Sequence, residues 1–140
     1  MRARPALVLP AIGFAMILAG CSDMGDPVKP GPPSGGTAVS YQNDVRPIFS
    51  LRGCLGCHTS GSTTDYTGIL TSYGSFVNAT SFTYPTEKIV KPFDPAGSLL
   101  YNKVEQTALF PPPMPLGMAQ IPPSERDLIR RWILQGAQDN

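Results

Sequence analysis

Cys54-Leu55-Gly56-Cys57-His58 is the stretch on which the reading of this chain turns. It sets two thiols three positions apart and an imidazole directly after the second. His58 is the only histidine in the 140 residues, and the chain has three cysteines. A disulfide between Cys54 and Cys57 would close a very short loop and restrict the unfolded chain little. A thioredoxin-like redox pair needs a strand before it and a βαβ setting. Apolar residues at helical spacing precede this pair instead. A structural zinc site needs four protein ligands, and no second histidine is available to help complete one.

The third cysteine belongs to the start of the chain. Arg2 and Arg4 form a positive segment, and no acidic residue precedes Asp23. Ala6 to Ala19 is apolar, interrupted by Pro10 and Gly13. The run is short for a membrane span and has the proportions of a secretory signal. Leu18-Ala19-Gly20-Cys21 resembles the lipobox of bacterial lipoproteins. That resemblance implies cleavage before Cys21 and lipidation of its thiol. Residues 1–20 are then a signal peptide. Two or more acyl chains hold a protein stably at a membrane surface. Residues 21–37 form the tether: from Ser22 to Thr37, eight of sixteen residues are Pro or Gly. Such a segment cannot bury a core. Extended, it would reach roughly 50 Å. The expected location is the periplasmic face of the cell envelope. Ser22 rather than Asp after Cys21 favours the outer membrane.

Composition narrows the function. Charged residues are 15% of the chain and the formal net charge is +1. Loss of Arg2 and Arg4 with the leader makes it −1. Neither value suits a nucleic-acid binder, which carries a basic face or stripe. The 16 prolines and 14 glycines indicate a loop-rich domain.

Residues 38–140 form the folded domain, with an all-α pattern of about four helices and long irregular loops. Tyr41, Val45, Ile48, Phe49 and Arg52 recur at spacings of three and four. If Asp44 is the N-cap, Pro47 lies in the first turn, where its missing N–H costs nothing. A start at Ser40 requires a kink. Ile69, Leu70, Tyr73, Phe76 and Val77 suggest a short helix. Another is expected after Asp94, with Asp94 as cap and Pro95 at the first position. Ser124 is the expected cap of the last helix. Its apolar face is Leu128, Ile129, Trp132 and Ile133, with Arg126, Arg130 and Arg131 on a solvated side and Gly136 as the stop.

The pattern Cys54 to His58 is that of covalent haem c attachment. The two thiols are spaced to form thioethers with the two vinyl groups of one haem, and His58 follows as an axial iron ligand. An exported chain meets the compartment requirement of that chemistry. A His/Met pair is common where a haem carries electrons. Of the five methionines, Met1 and Met16 lie in the leader and Met24 in the tether. Met114 and Met118 remain. Met114 lies in Pro111-Pro112-Pro113-Met114-Pro115, a segment with few conformations to lose, which favours it as the second ligand. Arg52, Tyr73, Tyr84 and Lys91 are candidates for the haem propionates.

The chain also resembles the monohaem, class I-like cytochrome c family, in particular the small domains of bacterial and planctomycete extracytoplasmic proteins. The resemblance rests on Val45-Arg46-Pro47-Ile48-Phe49, Cys54 to His58, Ser98-Leu99-Leu100, Pro113-Met114-Pro115 and Arg131 to Ala137. It implies that the first and last helices cross and pack near Phe49 and Trp132, and that the Met114 loop closes the distal side. The prolines before Met114 depart from the family, which often has a basic or polar residue there. The expected function is one-electron transfer with redox partner proteins, by a carrier rather than an enzyme. Two alternatives are catalysis or small-ligand sensing at an open or labile sixth iron position, and an accessory role in assembling a larger complex.

Overall fold

The computed structural model describes residues 37–59, 61 and 67–140. The expectations for residues 1–36, including the leader and Cys21, lie outside the described residues. Among the described residues the chain is all-α, with four α-helices and no strand. None of these helices is long and apolar enough to cross a membrane.

Ser40, rather than Asp44, caps the first helical segment. Its hydroxyl accepts the Asn43 amide at 3.1 Å, and Asp44 accepts the Ser40 amide at 2.8 Å. The kink required by Pro47 takes the form of a π turn over Tyr41–Val45, followed by α1, Arg46–Leu51. In a regular helix the Pro47 ring would press on the carbonyl of residue 43. The wider turn covers that stretch. Gly53, at φ +72°, then reverses the backbone and releases α2, Cys54–His58.

The helix expected around Ile69 to Val77 shrinks to a 3₁₀ turn, Tyr73–Ser75. Beyond it the chain is stitched by isolated bridges, Val77 with Val90, Thr80 with Lys88, and Lys88 with Ser98. Asp94 caps a turn rather than a helix. It accepts the Gly97 amide at 2.8 Å, and α3 begins only at Leu99, running Leu99–Glu105. Ser98 explains the delay: its buried hydroxyl bonds the Asp94 carbonyl and the Lys91 amide, so the preceding turn closes on itself.

Ser124 does not cap the last helix. That helix, α4, spans Pro123–Leu134, with Pro122 at the cap position. Pro123 already holds a helical φ and needs no N–H partner, so the first turn forms ahead of the serine. Gly136, at φ +98°, ends the helix as expected. Its amide returns to the Ile133 carbonyl and the Ala137 amide to that of Trp132, the paired bonds of a Schellman stop.

The core lies between the N-terminal segment and α4. Trp132, Ile129, Ile133, Val45 and Phe76 are fully buried. Tyr41 stacks on Trp132 with ring centroids 5.5 Å apart, and Phe76 lies 6.1 Å from Trp132 and 6.0 Å from Phe49. Each such ring pair adds about 0.5–1.5 kcal/mol beyond burial alone. The Trp132 indole is satisfied at the Gln138 carbonyl, 2.9 Å away. Hydrogen bonds from Val39 to Gln135 and from Tyr41 to Asn140 join the two ends of the domain.

Candidate functional site

Cys54, Cys57 and His58 all lie on α2. Positions three and four apart on a helix share one face, with Cβ atoms about 5–6 Å apart. Cys57 and His58 are thus both neighbours of Cys54, one turn on and to either side of it. The thiols are free, Cys54 half-buried and Cys57 exposed. Cys54 and Leu55 pack against the core, which anchors the first turn of α2. Burial pushes the Cys54 thiol up, with smaller contributions in the same direction from Cys57 and Glu125. His58 is half-buried, and its carbonyl accepts the Leu70 amide at 2.8 Å.

Arg52 ties this corner to α4. Its guanidinium grips Glu125 in a fork, Nε to Oε2 at 2.7 Å and Nη2 to Oε1 at 2.6 Å. The hydrogen bond from Arg52 holds the Glu125 carboxyl below the usual glutamate range. Geometry of this kind is stronger than a single-point ion pair. It ties the end of α1, just ahead of α2, to α4.

The four propionate candidates already have protein partners. Arg52 is paired with Glu125 and Lys91 with Asp94. The Tyr73 hydroxyl donates to the Ala137 carbonyl, and that of Tyr84 to Pro111 at 2.6 Å. The α4 arginines are not simply a solvated face. Arg126 pairs with Glu105 at 2.8 Å and donates to the Ile121 carbonyl at 2.7 Å. Arg130 and Arg131 both grip Asp127.

Met114 lies in a separate segment, the irregular loop between α3 and α4. It is half-buried, whereas Met118 is 65% exposed. The Met114 amide donates to the Lys103 carbonyl at 2.9 Å, which docks the residue on α3. Gln120 closes the far end of the loop on the Val104 and Glu105 carbonyls. Between these anchors the loop exposes Leu116 and Met118, and ahead of them Leu109.

The part of Tyr84 and Lys103 in holding this loop is absent from the sequence reading. Tyr84 is read there only as a propionate candidate, and Lys103 has no role there. Their loop partners are 27 and 9 residues away in the chain, beyond any local periodicity.

The donor set fits a covalent haem better than a protein-ligated metal. Among the described residues, no three His, Cys, Asp or Glu side chains form a group able to hold a metal ion. Two free thiols on one helical face, followed by an imidazole, suit two thioethers and one axial bond. Comparison with known protein families, curated proteins and solved structures finds no significant match to this chain.

Proposed function

We propose that this chain is a monohaem c-type cytochrome with a small cytochrome c fold, acting as a one-electron carrier. The observation that carries the reading is the placement of Cys54, Cys57 and His58 on one short helix, α2, with both thiols free. Cys54 and Cys57 hold the haem covalently, and His58 and Met114 are its axial ligands. When bound, the haem supplies reversible one-electron exchange at its iron. The chain's own residues limit movement around that exchange. Cys54 is fixed by packing against the core, Arg52 and Glu125 tie the end of α1 to α4, and the Lys103 carbonyl holds the Met114 amide. A lipid on Cys21 keeps the domain at the periplasmic face, with the outer membrane favoured, and the tether of residues 21–37 lets it meet redox partner proteins. Nucleic acid is not among its partners.

The test is a pyridine haemochrome assay for covalent haem together with native ferric and ferrous absorption spectra of the chain matured with haem-attachment machinery, beside those of Met114→Ala. The expected result is one haem c per chain in both, with loss of low-spin, sulfur-ligated iron only in the variant. Absence of haem c from the parent chain overturns the proposal. Five-coordinate iron that readily binds carbon monoxide in the parent moves the function to catalysis or ligand sensing.

A further inference from the structure

We propose that Tyr84 and Lys103 are positioning residues for Met114, clamping the prolyl segment before it and so fixing where its thioether is presented. This rests on the haem reading of the same site. Three successive prolines, Pro111, Pro112 and Pro113, offer no N–H donors, so the segment cannot brace itself with ordinary turn bonds. Its carbonyls are held from outside. The Tyr84 hydroxyl donates to Pro111 at 2.6 Å, and the Lys103 ammonium donates to Pro112 at 2.9 Å. With the Met114 amide on the Lys103 carbonyl, residues 111, 112 and 114 each have an anchor.

The two clamps also support each other. The Lys103 ammonium lies 5.3 Å from the centroid of the Tyr84 ring. Phe110 packs edge-on to that ring, with centroids 5.1 Å apart. Burial cannot replace these bonds, because Leu109, Leu116 and Met118 on the same loop are each at least 65% exposed. Tyr84 and α3 therefore impose the position of the segment, and polar bonds supply most of the restraint.

The experiment compares Tyr84→Phe, Lys103→Met and Lys103→Arg with the parent, all as full-length, haem-loaded protein. Tyr84→Phe keeps the ring and removes the hydroxyl. Lys103→Met keeps most of the stem and removes the charge, whereas Lys103→Arg keeps a cationic donor. Imidazole titration of the ferric protein measures how readily the thioether is displaced, and the sulfur-to-iron charge-transfer band reports its occupancy. Tyr84→Phe and Lys103→Met should each tighten imidazole binding about fivefold, the equivalent of one net hydrogen bond. Lys103→Arg should stay within about twofold of the parent on the same scale. A lower urea midpoint with unchanged imidazole affinity assigns both side chains to general stability and overturns the positioning role. A parent chain without haem c overturns the functional reading and this inference together.

Discussion

The aromatic junction under α4 and the loop that carries Met114 are held by opposite means. At the junction, Tyr41, Phe49, Phe76 and Trp132 are buried together and form four mutual ring contacts. Along the loop, Leu109, Leu116 and Met118 face outward and the backbone depends on hydrogen bonds to α3, Tyr84 and Lys103. The junction is complete with protein atoms alone. The loop leaves Leu109, Leu116 and Met118 to solvent. The difference teaches that the packed core and the loop that carries Met114, the proposed second ligand, are restrained by separate means.

That separation can be broken most severely at Trp132. Trp132→Ala should destabilise the domain by about 3–5 kcal/mol, a large fraction of the stability of an ordinary small domain. Urea unfolding measures it, and the loss should be similar before and after haem loading. A loss confined to the loaded protein would place the aromatic junction in the cofactor site.

Acid tests the tie between the end of α1 and α4. The Arg52 hydrogen bond lowers the Glu125 pKa in the folded chain. Its contribution is therefore present above the unfolded value, near 4.3, and is lost as pH falls through the lower folded value. Urea midpoints should decline below about pH 4, and Glu125→Gln should flatten part of that decline. Part should persist, because Arg130 and then Arg131 lower Asp127, and Lys91 lowers Asp94. An unchanged acid limb would show that the Arg52–Glu125 fork does not couple the end of α1 to α4 energetically.

The smallest effect is expected on the loop. Met118→Ala should change the stability of the unloaded protein by no more than about 0.5 kcal/mol, because its side chain is 65% exposed. A large loss in the unloaded chain would mean that the loop belongs to the core after all.

The sequence made much of the site legible and rather less of its support. Cys54, Cys57 and His58 needed only a helix to become one face, and α2 supplies it. Gly136 was legible as a stop because a positive φ favours glycine. Cap positions were less so. Ser40 and Asp44 both suit a helix start, and the choice depended on how the chain widened before Pro47. Asp94 has the chemistry of a helix cap but closes a turn, because the Ser98 hydroxyl competes for the same backbone. Ser124 lost the cap to a proline that needs no partner.

By itself the sequence determined the thiol and imidazole spacing, the apolar face of α4, and the short choice between Met114 and Met118. Those features are local: they follow from helical period, residue chemistry and elimination. Only the tertiary structure decided that Arg52 grips Glu125, that Tyr84 and Lys103 hold the prolyl carbonyls, and that Arg126 is paired with Glu105. Those bonds depend on where distant backbone segments arrive after packing, and no periodicity along the chain encodes that arrival.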